Sequence, residues 1–484
     1  SHRCVQACAL TTHGARYGTR STKSYGGPRM SGETSEAVDL EYPSSGWMGF
    51  FKNHFGPSML WALISIGGSH IAVGPEFGAT FGLYAVWIFA IIYIAKYGAW
   101  ELGIRYNYGA GGNPVEAYDQ LPGPKNWMQW FTVLVFGVFY IAIVGAVGMG
   151  TAAIVAFLTP LSVPQAFVVF VGGAGVLVFF ARYSLIEKIL VGFTIALGVL
   201  LVVGVIVGPP SPDVVTETAF SLDLTGDRTV TFVALFAAAA GFAPTGFSTS
   251  VLIGSWSMAK GEGAGQLKQQ GLDPEDEQYH DYIAQWIKTG RRDFNIGYAF
   301  SFILLATMVI LSSNVLYPNP PGDGRFAVAI GQILSESFGE WSFWAMMIGA
   351  FAALYSTIIT LLDGASRAVG DVLPMAMDND DMNSDLIRRI VLTFVVVISS
   401  ATVYVLGNIP VTFILYIAAI LAVTEIVFFP ANWYVVKKNL PERFHPTTAW
   451  NVYYVFALLA VLIFGAMGAA VRLGIVPQLI DLLP

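Results

Sequence analysis

Apolar residues occur along this chain in long uninterrupted runs rather than in alternation with polar ones. About eleven runs reach the roughly 20 residues that a membrane-spanning helix needs, and their centres lie near residues 61, 94, 143, 172, 198, 240, 305, 350, 398, 422 and 460. Continuous runs predict helices, because the strands of a membrane barrel would alternate. The composition agrees, with 55% hydrophobic residues, 12% charged residues and a mean hydropathy of +0.62. The sequence therefore predicts an all-α integral membrane protein with about 11 transmembrane helices.

Two adjacent glycines stand in the middle of the first apolar run. The run contains SIGGSHIAVGPEFGA, in which Gly67 and Gly68 are followed by Ser69 and His70. Each glycine destabilises a helix interior by roughly 1 kcal/mol relative to alanine, so we expect helix 1 to break at Gly67-Gly68. Backbone groups freed inside a membrane are tolerated only where they face protein or a wet cavity. The break is therefore expected to present Ser69 and His70 to a bound substrate.

A proline interrupts the sixth run, which contains GFAPTGFSTS. Pro244 removes a backbone donor and clashes with the preceding turn, so we expect helix 6 to break at Ala243, Pro244 and Thr245, opposite the break in helix 1. Broken helices five apart are typical of two inverted five-helix repeats that meet at a midplane binding site. The predicted transmembrane domain covers residues 51–475, with repeat one at about 56–208, repeat two at about 228–437 and an extra helix at about 449–471.

The N-terminal region differs from the rest of the chain in composition. We expect residues 1–50 to form a disordered tail, since the first 32 are rich in Ser, Thr and Gly and contain five basic and no acidic residues. A transit peptide, or translated sequence upstream of a true start at Met30, would have the same composition. The two cysteines, Cys4 and Cys8, lie here, so neither a disulfide framework nor a cysteine zinc site is expected in the membrane domain.

Charge and motifs restrict the classes of function. The net charge of −7 gives no sign of nucleic-acid binding, and no glycine-rich phosphate loop or nucleophile–base pair stands out. We therefore expect neither an enzyme nor a cofactor. If the N-terminus is cytoplasmic, fifteen Lys and Arg residues lie in cytoplasmic connections and three, Arg228, Arg325 and Arg472, lie on the other side. The positive-inside rule then predicts a multi-pass protein with a cytoplasmic N-terminus.

Several segments in order resemble the natural resistance-associated macrophage protein (Nramp) family of proton-coupled divalent-metal transporters. These are FGPSMLWALISIGGSHIAVGPEFGATFGLYAVW, KYGAWELGIRYNYGAGGNPVEAY, RYSLIEKIL, GFAPTGFSTS and RRDFNIGYAF. The resemblance covers about residues 56–470, and the Gly-x-Ser-His form at residues 67–70 looks like a divergent bacterial branch of the family, which implies the bacterial inner (plasma) membrane. It implies a LeuT-like 5+5 inverted repeat with broken helices 1 and 6, and a site for a divalent metal ion between them.

The signature residues of the family are changed in this chain. Residues 67–70 read Gly-Gly-Ser-His where typical members have Asp-Pro-Gly-Asn, and residues 243–245 read Ala-Pro-Thr where they have Met-Pro-His. The remaining polar groups are Ser69, His70 and Thr245, with nearby carbonyl oxygens. These are the candidate metal ligands, imidazole suiting transition metals and hydroxyl or carbonyl oxygen suiting hard ions. Without a carboxylate, a mostly hydrated ion is expected.

Four ionisable residues are candidates for proton coupling. His70 titrates near neutral pH, although it can instead brace the broken helix. Glu76 follows the break in helix 1, and Glu101 lies in helix 2, where it can simply pair with Lys96. Glu425 is the deepest acid in helix 10, and an intramembrane acid is a functional candidate.

The sequence thus predicts a secondary-active transporter of a small cation of the Mn/Mg class, with protons as a candidate coupling ion and the lipid bilayer as its environment. Two alternatives stay open. The same fold can carry a small organic or anionic solute, and a protein that has lost its ion site can serve as a non-transporting sensor.

Overall fold

The computed structural model of the protein describes residues 40–180, 184–379, 381–472 and 474, and in these ranges the regular structure is entirely helical. Eight helices are long and apolar enough to cross a membrane. The shorter apolar helix Val163–Phe179 and two interrupted helices bring the transmembrane segments of the described chain to eleven. The predicted number of spans is therefore confirmed.

The transmembrane segments are numbered here in chain order. Segments 1 to 5 are Pro57–Phe81, Tyr84–Gly109, Trp127–Leu158, Val163–Phe179 and Ser184–Val207, and segment 6 is interrupted between Asp227–Phe242 and Thr249–Ala259. Segments 7 to 11 are His280–Leu316, Trp341–Ala376, Ser384–Leu406, Pro410–Asn439 and Thr448–Arg472. Short helices connect them at Gly46–Asn53, Pro114–Gln120, Pro212–Thr218, Gly265–Gln269, Glu277–Tyr279, Gly322–Gln332, Ser335–Phe338 and Glu442–Phe444.

The predicted disordered tail lies for the most part outside the described residues. Residues 1–39, which include both cysteines, belong to that undescribed part. Residues 46–50, which we had assigned to the tail, are instead the beginning of the helix Gly46–Asn53. Phe50 in this helix is buried, and apolar contact of this kind explains why the segment is ordered.

Segment 1 is interrupted at the two glycines, but its backbone stays helical there, whereas we expected it to unwind. Its α-helical part Pro57–Ser65 continues into a π-helix, Ile66–Val73, and then into the α-helix Gly74–Phe81. A π-helix keeps its backbone groups bonded, as the N–H of Gly74 to the carbonyl of Ser69 illustrates. The predicted interruption at Gly67-Gly68 is therefore present, but it is a π-helix and not an open break, because hydrogen bonds to the fifth preceding residue replace those to the fourth.

The two glycines of segment 1 serve close packing. A Cβ atom on Gly67 would lie 2.5 Å from Oγ1 of Thr357 in segment 8. A Cβ atom on Gly68 would lie 2.8 Å from the ring of Phe242 in segment 6. Real side chains do not approach so closely, so glycine at these positions lets segments 6 and 8 approach the π-helix.

Segment 6 is broken where the sequence predicted it. The first half ends at Phe242, Ala243 is extended, and the helix resumes at Thr249. The Ala243-Pro244 peptide bond is cis. The first half packs along segments 10 and 11, and the π-helix of segment 1 lies against segments 6, 7 and 8. The two interruptions therefore meet inside the bundle.

Candidate functional site

A small cavity of about 30 Å³ lies between the two interrupted segments. Segments 1, 3, 6, 8 and 10 contribute to its wall, and its polar lining residues are Ser65, Ser69, Tyr140, Thr245, Ser248, Thr249 and Thr357. A water molecule needs roughly 10–15 Å³ of such volume, so the cavity accommodates about two water-sized groups. Its lining offers hydroxyl and backbone oxygen and, among the described residues, no carboxylate.

Most of the predicted binding residues come together at this cavity. Gly68 and Ser69 line it from segment 1, and Pro244 and Thr245 line it from segment 6. Gly67 lies beside it against Thr357, whereas Ala243 is buried and does not belong to the lining. Ser69 and Thr245 therefore remain candidate ligands.

His70 does not face the cavity, contrary to our expectation. Its Nε2 atom lies 2.7 Å from the carbonyl oxygen of Ser301 in segment 7. Its Nδ1 atom lies 2.9 Å from the carbonyl oxygen of Ser65 and 2.8 Å from Oγ of Ser69. On the π-helix the side chain after Ser69 points away from segment 6, so His70 braces segment 1 against segment 7. It is not placed to bind a metal ion opposite Thr245.

A buried ion pair lies directly behind the break in segment 6. The ammonium group of Lys96 in segment 2 donates to Oε1 of Glu425 in segment 10 at 2.7 Å. It also donates to the carbonyl oxygens of Ala240 at 2.7 Å and of Thr245 at 3.0 Å. These carbonyls belong to the end of a half-helix and to the break, where a cation is favourable because the helix dipole is negative there. Lys96 thus holds together the two edges of the interruption.

Glu425 has unused hydrogen-bonding capacity. Its side chain is completely buried, and its Oε2 atom has no hydrogen-bond partner among the described residues. A buried carboxylate oxygen without a partner is energetically costly, and such groups often have a functional role. Glu425, the intramembrane acid that the sequence singled out, is therefore connected through Lys96 to Thr245 in the cavity wall. Lys96 pairs with Glu425 and not with Glu101, the partner that the sequence suggested.

Glu101 belongs to a different network, nearer the end of the bundle that carries residues 46–58. Its carboxylate pairs with Arg105 at 2.9 Å, and Arg291 and Tyr454 also donate to it. Segments 2, 7 and 11 are joined by these contacts. Both carboxylate oxygens are occupied, which suits a structural ion pair.

Glu76 lies towards the opposite end of the bundle from Glu101. Its Oε2 atom accepts a hydrogen bond of 3.2 Å from the backbone N–H of Gly322, at the start of the short helix Gly322–Gln332. In the part of the chain that the structure describes, no group of three or more His, Cys, Asp or Glu residues could hold a metal ion.

The end of the bundle near residues 46–58 is closed by a network that the sequence did not reveal. Asp293 of segment 7 accepts hydrogen bonds from the backbone N–H groups of Gly56 at 3.1 Å and Ser58 at 2.8 Å. Glu262 lies 3.3 Å from His54 and accepts 2.8 Å from the hydroxyl of Tyr108. The first turn of segment 1 is thereby attached to segment 7, and Glu262 connects His54, just before segment 1, to segment 2. An acid in the segment 7 motif RRDFNIGY was the available signal.

Aromatic side chains fill the space around the buried part of segment 1. Trp61 stacks on Tyr298 with ring centroids 5.7 Å apart and packs edge-on against Trp100 at 5.1 Å. Trp100 in turn packs against Phe247, which follows the break in segment 6. The rings therefore join segments 1, 2, 6 and 7.

An eleven-segment helical bundle with a polar cavity between two interrupted segments defines a membrane transporter of the inverted-repeat class. The chain belongs to the Nramp family, since the family model described as "Natural resistance-associated macrophage protein-like" matches residues 58–470.

Solved structures support the same fold. The manganese transporter of Eremococcus coleocola, solved with an aromatic bis-isothiourea compound, is 13% identical and has a TM-score of 0.64, covering 91% of this chain and 92% of that chain. The transporter MhsT in complex with L-phenylalanine is 12% identical with a TM-score of 0.55, covering 87% and 99%. An uncharacterized protein of Pasteurella multocida is 23% identical over 367 residues, which are 73% of this chain and 78% of that protein.

Proposed function

We propose that the protein is a secondary-active transporter that moves a small divalent metal ion of the Mn/Mg class through the cavity between segments 1 and 6. The observation that carries this proposal is the position of the cavity, where hydroxyl groups from both interrupted segments converge in a member of the Nramp family. Oxygen ligands suit hard divalent ions better than soft ones. The manganese transporter of E. coleocola has the same fold, which is consistent with such a substrate.

The size of the cavity limits how the ion is bound. About 30 Å³ is too small for an ion with a complete hydration shell, given roughly 10–15 Å³ for one water. We infer that the ion exchanges part of its water for hydroxyl and carbonyl oxygens of segments 1 and 6, and that full hydration requires a more open state.

We propose further that protons drive the transport and that Glu425 is the coupling group. It is a buried acid joined to the break through Lys96, and one of its oxygens has no partner among the described residues. A proton on Glu425 would weaken its hold on the lysine that bridges the break. Glu76 and Glu101 are less suited, because each contacts groups remote from the cavity, and His70 is less suited because both of its ring nitrogens are engaged by Ser65, Ser69 and Ser301.

Flux into liposomes tests these proposals directly. The purified protein is reconstituted, and uptake of Mn²⁺, Mg²⁺ and Ca²⁺ is measured together with internal pH. Metal uptake with a pH change supports both proposals, whereas metal uptake without one retains the metal ion and removes the protons. Flux of an amino acid or an anion instead would favour an organic or anionic substrate, and no flux at all would favour a sensor.

The coupling group has its own test. Glu425→Gln combined with Lys96→Met leaves no unpaired charge, so this double variant should still take up metal but without the accompanying pH change. Glu442→Gln, which changes an exposed acid in the short helix before segment 11, is the matched control and should keep the pH change. A pH change that persists in the double variant would rule out Glu425.

We propose a cytoplasmic N-terminus on the basis of the charge asymmetry of the connections, and a bacterial inner membrane on the basis of the resemblance to a bacterial branch of the family. Cysteine labelling can test it after Cys4 and Cys8 are replaced by serine. Gln269→Cys and Glu217→Cys place exposed thiols in the connections after segments 6 and 5. An impermeant reagent added outside should label only the second. Labelling of the first alone would reverse the orientation.

A further inference from the structure

A wide groove of about 900 Å³ runs along segment 7 at the end of the bundle near residues 46–58. It lies between segment 7 and the stretch that leads into segment 11. Five cationic side chains contribute to its wall, namely Arg105, Lys288, Arg291, Arg292 and Arg443. We refer to it as the basic groove.

The basic groove carries more positive charge than its neighbours neutralise. Glu101 pairs with Arg105 and Arg291, and the guanidinium of Arg292 lies 4.5 Å from the ring of Trp47. Lys288 and Arg443 are exposed and form no ion pair with any carboxylate in the described ranges. No Asp or Glu is among the described residues that line the groove. An anion is therefore the complementary ligand.

The groove continues towards the middle of the membrane as an apolar furrow of about 550 Å³. The two share Asn295 and Ala299, and the furrow is lined by Ala90, Ile94 and Phe302 among others. Along segment 7 the outward residues therefore change from cationic through amide to apolar. This polarity gradient matches a molecule with an anionic head and a hydrocarbon tail.

We propose that the basic groove and the apolar furrow together bind one anionic phospholipid. Its phosphate lies against Lys288 and Arg443, and one acyl chain lies in the furrow beside Ala299. Arginine and lysine bind phosphate oxygens through charge-assisted hydrogen bonds. Trp47 and Trp450 border the groove, and indole rings favour the level of the lipid headgroups.

The lipid site concerns a different part of the molecule from the metal path. The proposal does not depend on which ion is carried, and only the choice of leaflet follows from the proposed orientation. A bound lipid would bridge segment 7 and the loop before segment 11, where Arg291 and Arg105 already meet Glu101. We therefore expect it to stabilise the contact between these segments.

Native mass spectrometry of the full chain in detergent measures the binding. Dioleoyl phosphatidylglycerol should be retained, whereas dioleoyl phosphatidylcholine should not. The double variant Lys288→Gln/Arg443→Gln should bind phosphatidylglycerol about 30-fold more weakly, since each basic residue near an anionic lipid contributes roughly 1 kcal/mol. Lys437→Gln/Lys438→Gln removes the same charge from segment 10 and should bind as the native chain does. An equal loss in both variants would overturn the proposal.

The tail of the ligand is tested separately. Ala299→Trp fills the furrow without a change of charge and should also abolish retention of phosphatidylglycerol, while the protein stays monodisperse. Inorganic phosphate is the soluble alternative, and it should not raise the melting temperature at concentrations where the lipid does. Equal stabilisation by phosphate, or normal lipid binding by Ala299→Trp, would contradict a phospholipid site. A third outcome would also contradict it, namely no lipid binding together with crosslinks from Lys288 to residues 1–39. That result would identify the occupant as this chain's own N-terminal segment.

Discussion

The ammonium nitrogen of Lys96 lies 2.7 Å from Oε1 of Glu425, and neither side chain is exposed. The pair connects segments 2 and 10, and through the carbonyls of Ala240 and Thr245 it also holds the interruption of segment 6. A buried pair of this kind constrains structure more surely than it stabilises it, because desolvation of two charges offsets their attraction. Substitution of one partner and then of both separates the cost of an unpaired buried charge from the net contribution of the pair to stability.

Loss of one partner of the pair should destabilise the protein strongly. Lys96→Met and Glu425→Gln each leave the other residue buried without its partner, at a cost of about 3–5 kcal/mol. Lys96→Met/Glu425→Leu removes both charges and should recover most of the lost stability. Melting temperatures in detergent will show the order of the variants. A double variant less stable than both single variants would refute this account.

Thr245 and His70 should affect transport in different ways. Thr245→Val removes a cavity hydroxyl at nearly constant volume and should raise the KM for metal about tenfold, since a lost ligand corresponds to roughly 1.4 kcal/mol. His70→Ala removes a brace outside the cavity, so we expect a lower melting temperature and maximal rate with an almost unchanged KM. Liposome uptake at varied metal concentration measures both quantities.

The control for these variants is Thr402→Val in segment 9, a half-buried threonine whose hydroxyl donates to the carbonyl of Ile398 in its own helix. It should leave KM and the melting temperature unchanged. If His70→Ala instead raises KM as much as Thr245→Val does, then His70 contacts the substrate in another state of the transport cycle.

Gly67→Ala should destabilise the protein and slow transport. The added Cβ would lie 2.5 Å from Oγ1 of Thr357, so segments 1 and 8 would have to separate. Overpacking of a buried contact typically costs about 1–3 kcal/mol. Thermal unfolding and uptake rate are the measurements.

Gly172→Ala in segment 4 is the matched substitution, because a Cβ atom there would meet nothing within 4 Å. It should leave stability unchanged or raise it slightly, since alanine favours a helix. Similar losses in both variants would mean that the contact with Thr357 does not determine the effect, since helix propensity alone would favour alanine.

Asp293→Ala should open the end of the bundle near residues 46–58. The substitution leaves the N–H groups of Gly56 and Ser58 without their acceptor, and loss of such a cap costs about 1 kcal/mol. The test uses Ser58→Cys in a background where Cys4 and Cys8 are replaced by serine. We expect its thiol to react several-fold faster with a maleimide in the Asp293→Ala variant than in the parent protein.

The matched control is Asp281→Ala, an exposed acid at the start of segment 7. Its rate of labelling at the same thiol should equal that of the parent protein. A rate that does not rise in Asp293→Ala would show that the aromatic packing around Trp61 closes this end without the carboxylate.

The sequence by itself determined the number and places of the transmembrane segments. Length and continuity of apolar runs are local properties, and the membrane imposes its thickness on each of them. Pro244 likewise determined the break in segment 6, since a missing N–H and a steric clash act within one turn of helix. The polar residues beside both interruptions could also be identified from the sequence, because they are direct neighbours of the glycines and the proline along the chain.

Only the tertiary structure decided what these residues contact. Gly67 and Gly68 do not unwind segment 1. These positions require glycine because Thr357 and Phe242, from segments distant in the sequence, lie too close for any side chain. His70 points to segment 7, as the turn of the π-helix dictates. Lys96 pairs with Glu425, which lies 329 residues away. Helical periodicity describes neighbours along one helix, whereas a buried polar group is placed by partners that only the packing of segments brings within hydrogen-bonding distance.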